Sequence, residues 1–254
     1  MLKIEGIISS VGYGDFLAET IKYNVSVFDR IIVVTSDSDE ETREVCRKYS
    51  IECLLSNEHN LEGDKFNKGR LVERALQHLS AEGWRVHMDA DIVLPSKTRQ
   101  LLEVAQLNPD FIYGADRIMV KSYEDWQKLK DSGYLAHDYH NRVTTPKGYQ
   151  IGTRWADIHS GGYCPIGYFQ CWSSRSDLWK GSRIRTYPTK HNDACRSDVQ
   201  FALKWDRSCR ALIPELFVVH LESQEAKLGA NWSGRTTRRW GVNNTGSSGC
   251  VSSS

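Results

Sequence analysis

The stretch Val86-His-Met-Asp89-Ala-Asp91-Ile-Val-Leu-Pro95 places two acidic residues inside an apolar segment. Its composition predicts a buried strand over residues 84–94, which Pro95 ends. On an extended chain, two carboxylates separated by one residue project to the same side, with their residues about 7 Å apart. Because burying two like charges is costly unless a cation neutralises them, the stretch predicts a site for a hard divalent cation, Mn²⁺ or Mg²⁺. The alternative is a pair of surface acids at the end of a strand.

Strand-like and helix-like segments alternate on both sides of this strand. Strands are predicted over residues 4–10, 29–34, 51–55 and 111–120, and helices over 16–27, 39–49, 71–79 and 101–105. This alternation predicts an α/β fold with a Rossmann-like, mainly parallel sheet flanked by helices. Such sheets bind ligands at the carboxyl ends of their strands, so polar residues that follow strands are candidates for function.

The periodicity weakens after residue 121. Residues 131–170 are rich in Gly, Tyr, His and Trp, which is typical of loops that build sites. Ser197 is expected to cap a helix over 198–205, and a last strand is predicted over 211–221. Since no repeat or boundary is evident, we expect a single domain with two halves, 1–120 and 121–240, and a flexible tail, 241–254.

The acidic triplet alone is weak evidence. With 17 Asp in 254 residues, about one Asp-x-Asp is expected by chance, and a second one is present at Asp37 and Asp39. That second triplet runs into Glu40 and Glu41 at a predicted helix start, where acids commonly cap the helix. The apolar surroundings distinguish residues 89–91 from it.

Charge is distributed unevenly along the chain. Residues 1–116 contain 20 acidic and 13 basic residues, whereas residues 117–254 contain 12 acidic and 20 basic ones. A basic second half suits an anionic ligand such as a diphosphate, a nucleic acid or an acidic glycan. Uneven scatter of solvated surface charge would give the same numbers.

The seven cysteines form no C-x-x-C pair, and their number is odd. Together with the absence of a signal-peptide pattern and of an apolar run of about 20 residues, this predicts a cytoplasmic protein without a membrane span.

One segment carries a family resemblance. Phe66-Asn-Lys-Gly69, then a helix, then residues 87–95, resembles the donor-binding core of GT-A-fold glycosyltransferases, especially the family-2-like group. The resemblance covers roughly residues 3–120 in element order. In those enzymes the Asp-x-Asp motif binds a metal and the ribose and diphosphate of a nucleotide-sugar. It therefore implies a metal-dependent transfer of sugar, expected from a UDP-sugar, to a hydroxyl acceptor, with 1–120 as the donor half.

The resemblance also implies donor-binding residues. The loops after the first two strands would surround the nucleoside through Ser9, Thr35 and Asp37. Many relatives carry an acid at the end of the second strand, where this chain has Thr35, so Asp37 is the nearest substitute. Lys68 or Arg70 could bind phosphate, as could Arg235 or the Arg238–Arg239 pair, since cationic side chains match its oxygens. Lys68 and Arg70 could also be solvated residues at a helix start.

The second half would supply the acceptor site and the catalytic base. Flat aromatic faces and glycines that admit close approach suit sugars, and the candidates are Gly167, Tyr168, Phe169, Gln170 and Trp232. A packed turn with core aromatics is the alternative for residues 161–172. Asp198 resembles the general base of inverting GT-A enzymes, and could equally be an acid that stabilises its helix.

His220 leaves an apolar strand and resembles the His that completes the metal site in a number of GT-A enzymes. The implied ligands are thus Asp89, Asp91 and His220. Because imidazole is a less typical ligand of Mg²⁺, the set favours Mn²⁺. A structural His at a strand end is the alternative.

Other functions remain open from the sequence. A nucleotidyltransferase would share the sheet and the carboxylates but commonly carries a basic, Gly-rich loop after the first strand, and residues 9–15 contain no Lys or Arg. A non-catalytic nucleotide- or glycan-binding module would need no base. The acceptor could be a glycan or a hydroxymethylated DNA base, and the oligomeric state is not indicated.

Overall fold

The computed structural model describes residues 2–136, 148–152, 154–157, 162–174, 186–221, 233–235 and 239–241. In chain order the strands and helices are β1 Ile4–Ser9, α1 Gly14–Asn24, β2 Arg30–Thr35, α2 Glu40–Lys48, β3 Glu52–Leu55, α3 Lys68–Leu76, β4 Trp84–Asp89, β5 Ile92–Val93, α4 Thr98–Val104, β6 Ile112–Val120, α5 Tyr123–Asp131, β7 Gln150–Ile151, β8 Ala156–Asp157, β9 Gly162–Tyr163, β10 Phe169–Ser173, α6 Ser197–Ala202 and β11 Arg210–Leu221.

Nine of these strands form one sheet in the order β3-β2-β1-β4-β10-β6-β11-β5, with β7 paired to β6. β1 to β4 pair in parallel, and β11 runs parallel to β6. β10, β5 and β7 run antiparallel to the strands beside them. The predicted α/β fold with a mainly parallel sheet flanked by helices is therefore confirmed.

The sheet is covered on both faces, as the alternation of β1 shows. Ile7 packs in a buried cluster with α3 and α6, whereas Ile8 packs in another with α1 and α2. Successive strand residues point to opposite faces, so a strand buried on both sides reads as a continuous apolar run. This explains why the apolar runs of the first 94 residues identify strands of a parallel sheet.

β10 lies in the middle of the sheet, between β4 and β6, although its Gly- and aromatic-rich neighbourhood predicts a loop. Phe169, Cys171 and Trp172 are at most 1% exposed. The strand is only five residues long and follows a turn, so its pattern is too short to separate it from the irregular segments around it.

Of the six helices named above, α2, α3 and α5 start with a side-chain cap, whereas α1, α4 and α6 do not. Asp39 caps α2, as predicted, by accepting a hydrogen bond from the Thr42 amide at 3.1 Å. The predicted cap at Ser197 is wrong. α6 already includes Ser197, and the residue before it, Arg196, adopts φ 74° without a side-chain cap. The helix also ends at Ala202, earlier than predicted.

Both predicted halves contribute to the same sheet, since β10 and β11 lie beside strands from residues 1–120. Among the described residues, none of the helices has the length and apolar content needed to cross a bilayer. The predicted tail lies outside the described residues except for Gly241.

Candidate functional site at the carboxyl edge of the sheet

The carboxyl ends of β1, β2 and β4 meet at one edge of the sheet. Ser9 at the end of β1 lies opposite Asp89, the last residue of β4, and Thr35 ends β2 on the other side. β10 runs the opposite way and starts at this edge, directly after Gly167 and Tyr168. The topology thus brings predicted donor and acceptor residues to one place.

Residues 90–91 form a turn between β4 and β5, so the prediction of one continuous strand over residues 84–94 is wrong. Helix α1 holds the backbone of this acidic turn. The Thr20 hydroxyl donates to the Ala90 carbonyl at 2.8 Å, and the Asn24 amide donates to the Ile92 carbonyl at 2.7 Å. The Asn24 side-chain oxygen accepts from the Leu94 amide at 2.8 Å. Thr20 and Asn24 are fully buried and four residues apart, so they share one helix face. Buried hydrogen bonds of this kind fix the backbone of the turn, and with it the direction in which Asp89 and Asp91 project.

Asp89 is paired with Lys68, the first residue of α3. The Lys68 ammonium contacts Asp89 Oδ1, and only 11% of the lysine side chain is exposed. Burial alone would lower the pKa of Lys68, but the carboxylates of Asp89 and Asp198 outweigh it and raise the pKa above its ordinary value. Lys68 therefore carries its charge into the site.

Asp198 faces the same lysine from α6. Its Oδ2 accepts a hydrogen bond from the Gly167 amide at 2.5 Å, and its Oδ1 accepts from the Val199 amide at 2.8 Å. A Cβ at Gly167 would lie 2.8 Å from Lys68 Nζ and 2.9 Å from Asp198 Oδ2. Gly167 thus leaves the space in which Lys68 and Asp198 approach, and Lys68 lies between two carboxylates.

The Phe66-Asn-Lys-Gly69 segment explains how Asp198 reaches this position. Asn67 caps α3 by accepting from the Arg70 amide, and its side-chain amide donates to the Thr189 carbonyl at 2.8 Å. A Cβ at Gly69 would lie 1.9 Å from the Pro188 carbonyl oxygen. The segment that leads into α6 therefore packs directly on the start of α3, which requires glycine at position 69.

Asp91 contacts His220 near the end of β11. Asp91 Oδ2 lies 3.3 Å from His220 Nε2, and the other ring nitrogen, Nδ1, lies 3.2 Å from Arg117 Nη1. The Tyr168 ring stacks near the His220 ring, with centroids 6.4 Å apart, and the Arg117 guanidinium lies over Tyr168 at 4.5 Å. The predicted proximity of Asp91 and His220 is thus present, and Arg117 is a partner that the sequence did not indicate.

The residues expected around a nucleoside lie at the ends of β1 and β2. Thr35 is fully buried and donates to Asp39 Oδ2 at 3.1 Å, and the Gly12 amide donates to the same oxygen at 2.7 Å. Asp39 therefore joins the loops after β1 and β2. Asp37 is exposed just beyond β2, and Ser9 is partly buried. Contact of Ser9, Thr35 or Asp37 with a nucleoside stays a prediction.

Three of the predicted sugar-binding side chains are buried. Tyr168 is 4% exposed and donates to the Ala115 carbonyl, while Phe169 and Gln170 are at most 1% exposed. Gln170 donates to the Asp198 carbonyl at 2.8 Å and accepts from the Tyr187 hydroxyl at 2.9 Å. These buried side chains pack beneath the surface of the site. Direct contact with a sugar stays a prediction that their burial does not favour.

Arg235 is engaged by an acid of α1. Its guanidinium donates to both carboxylate oxygens of Asp15, at 2.5 and 2.8 Å, and lies 5.1 Å from the Tyr13 ring centroid. To bind phosphate, Arg235 would have to leave Asp15. Trp232, the other predicted residue of this region, lies outside the described residues.

The fit of the acidic pair to a divalent cation can be tested on the donor atoms. Asp91 Oδ1 is buried and has no hydrogen-bond partner among the described residues, as expected of an oxygen that a cation would bind. Asp89 offers a second carboxylate, at present paired with Lys68. Within the described part of the chain, no three or more His, Cys, Asp or Glu side chains form a group that could hold a metal. The carboxylates fit, and a complete three-residue ligand set is not assembled.

No protein-family model matches the sequence, and no curated protein matches it either. Solved structures do match by fold. Mannosyl-3-phosphoglycerate synthase from Rubrobacter xylanophilus aligns with a TM-score of 0.47 at 16% identity, over 89% of this chain and 68% of that one. Glucosyl-3-phosphoglycerate synthase from Mycobacterium tuberculosis, crystallised with Mn²⁺, UDP-glucose and phosphoglyceric acid, aligns with a TM-score of 0.46 at 12% identity, over 91% and 76%.

A third match is 4-diphosphocytidyl-2C-methyl-D-erythritol synthase from Anaerococcus prevotii, with a TM-score of 0.41 at 14% identity over 87% of each chain. The match to GT-A glycosyltransferase structures that the sequence resemblance implies is therefore present at the level of the fold.

Proposed function

We propose that this chain transfers a sugar from a nucleotide-sugar to a hydroxyl acceptor at the carboxyl edge of the sheet. The observation that supports this most is the convergence of Asp89, Asp91, Lys68 and Asp198 from three separate segments of the chain. A buried carboxylate oxygen with no hydrogen-bond partner among the described residues, a charged lysine and a neighbouring second carboxylate are groups that such a transfer uses.

In this proposal the donor diphosphate binds beside Asp89, Asp91 and Lys68. A divalent cation held by the two carboxylates, Mn²⁺ or Mg²⁺, would neutralise the charge that develops on the departing diphosphate. Lys68 adds a positive charge on the same side, and its ammonium has three donors with which to reach phosphate oxygens as well as Asp89. Ser9, Thr35 and Asp37 are proposed to contact the nucleoside, for which uridine is our first choice.

Asp198 is proposed as the general base. The acceptor hydroxyl attacks the anomeric carbon, its proton passes to the Asp198 carboxylate, and the bond from that carbon to the diphosphate oxygen breaks, with the electron pair leaving on the diphosphate. Attack opposite the leaving group inverts the anomeric configuration. The Gly167 and Val199 amides orient the carboxylate, and each of its oxygens keeps a further acceptor position.

The acceptor is proposed as a glycan or a hydroxymethylated DNA base. The excess of basic residues after residue 116 supports an anionic acceptor such as DNA or an acidic glycan. Transfer to DNA should fall steeply as salt rises, because phosphate contacts release counterions, whereas transfer to a neutral glycan should change little.

The test is a donor screen with Mn²⁺ or Mg²⁺ and a panel of nucleotide-sugars, in which released nucleoside diphosphate is measured. Cation-dependent release from at least one donor is expected. Release of pyrophosphate from a nucleoside triphosphate would instead identify a nucleotidyltransferase. Binding of a donor without any turnover would identify a binding module, and no binding or turnover of any donor would contradict the proposal.

A further inference from the structure

The inference concerns His220 and rests on the proposed cation site. Arg117 is 3% exposed and reaches the imidazole from the neighbouring strand β6. A guanidinium has only N–H groups to offer and accepts no hydrogen bond. Since Arg117 Nη1 lies 3.2 Å from His220 Nδ1, that nitrogen must be the acceptor and carry no proton.

A neutral imidazole has one N–H donor and one bare nitrogen. With Nδ1 bare, the proton of His220 is on Nε2, which lies 3.3 Å from Asp91 Oδ2. The ring therefore donates to Asp91 and has no lone pair on the side that faces the acidic pair. A metal ligand needs that lone pair, so Nε2 as it stands does not fit a cation.

The position of Arg117 is built into the sheet. The Gly152 amide donates to the Arg117 carbonyl at 2.8 Å, and a Cβ at residue 152 would lie 2.6 Å from Arg117 Nε. On its other side the guanidinium lies over the Tyr168 ring at 4.5 Å, within the range of a cation–π contact. The side chain that selects the His220 tautomer is thus enclosed between Gly152 and Tyr168.

We propose that His220 is a positioning residue, which Arg117 fixes as an Nε2–H donor to Asp91, and that it is not a metal ligand. The bond on Oδ2 leaves Asp91 Oδ1, the buried oxygen without a partner among the described residues, as the atom turned to the cation. Of the three implied ligands, the carboxylates of Asp89 and Asp91 then remain. An all-oxygen set suits Mg²⁺ as well as Mn²⁺, in contrast to the preference for Mn²⁺ that a His ligand implies.

The test is long-range ¹H–¹⁵N NMR of the full chain labelled with ¹⁵N-histidine, first without any cation or donor. The signal of His220 is identified by its loss in His220→Asn and, should that variant not fold, by its shift in Asp91→Asn. We expect a protonated Nε2 and a bare Nδ1. A proton on Nδ1, or on both nitrogens, would overturn the proposal.

Two further spectra separate the parts of the inference. In Arg117→Met the Nδ1-protonated form of His220 should appear. The control Arg74→Met, at an exposed position, should leave the His220 signals unchanged. Unaltered His220 signals in Arg117→Met would refute the role of Arg117. Adding Mg²⁺ to the wild-type protein should leave the Nε2 proton in place, and its loss would show ligation. The first spectrum needs no donor. The tautomer of His220 can therefore be determined even if the chain transfers no sugar.

Discussion

At the residue scale, three carboxylates and one lysine share a partly enclosed space. Asp89 pairs directly with Lys68, and Asp198 acts on the same ammonium, as the raised pKa of Lys68 reflects. Carboxylates that face one ammonium repel each other unless a cation lies between them. Lys68 is therefore expected to have two effects. Its ammonium stabilises the folded site, and it places a positive charge beside the donor diphosphate.

Replacing Lys68 with Met should reveal both effects. The loss of the ammonium leaves Asp89 and Asp198 uncompensated, so we expect the free energy of unfolding to fall by about 1–3 kcal/mol, since Asp89 is partly solvated. Donor turnover should fall on the order of 100-fold. Chemical denaturation and nucleotide release measure the two, with the exposed Lys48→Met as the matched control. Turnover equal to that of the control would remove Lys68 from the donor site.

Asp198→Asn isolates the proton transfer. The amide keeps an oxygen for the Gly167 N–H but has lost the basicity, so turnover should fall by about 10²–10⁴-fold while donor binding is retained. Steady-state kinetics and calorimetric titration of the donor measure these quantities, with Asp206→Asn as a control in the exposed turn after α6. Unchanged turnover would favour a helix-stabilising acid.

The sequence identified these side chains by pattern and missed those that hold them. Asp89 and Asp91 stand out because acids interrupt an apolar strand, and Lys68 because it precedes a predicted helix. Arg117 gives no such signal, since a lone Arg in a strand reads as a surface residue and its partner His220 is 103 positions away. Contacts between distant segments are set by the sheet order, which local periodicity does not contain.

At the element scale, α1 and β10 organise the site. α1 binds the acidic turn through Thr20 and Asn24, so the position of the carboxylates depends on a helix that contains no candidate site residue. β10 carries Gln170, whose bond to the Asp198 carbonyl ties α6 to the sheet. The two elements thus hold different parts of the candidate site, the acidic turn and the start of α6.

Thr20→Val removes one hydrogen bond from the acidic turn without changing the shape of the side chain. The Ala90 carbonyl is left without its partner, so the free energy of unfolding should fall by about 1–2 kcal/mol. The KM for the donor should rise more than kcat falls, because the turn positions the donor site. Thr186→Val, at an exposed position, should change neither quantity. A stability loss with unaltered KM would show that the contact serves folding alone.

Most of the sheet was predictable because β1, β2 and β4 are buried, largely apolar strands and because a helix follows β1 and β2 directly. The start of α2 was predictable for a local reason, since Asp39 precedes Glu40 and Glu41. β10 and the true start of α6 were not. β10 is a short strand within an irregular region. α6 begins after Arg196, which has a left-handed backbone conformation and no capping pattern in the sequence.

At the scale of the whole molecule, ligand binding and stability are linked. A ligand that binds only the native state stabilises it by about 2.7 kcal/mol at 100 times its Kd. For a chain of 254 residues this corresponds to a rise in Tm of about 5–10 °C. We expect this rise with UDP and Mg²⁺ together and a much smaller one with either alone. Differential scanning fluorimetry measures it, and an equal rise with UDP in excess chelator would argue against a cation that bridges protein and diphosphate.

The most direct measurement is cation-dependent release of nucleoside diphosphate from a nucleotide-sugar by the wild-type chain and by Asp91→Asn. Asp131→Asn, an exposed substitution at the end of α5, is the control. The account predicts release that requires Mg²⁺ or Mn²⁺, that the control retains, and that Asp91→Asn loses by on the order of 100-fold while remaining folded. Release that persists in excess chelator and is equal in wild type and Asp91→Asn would contradict it.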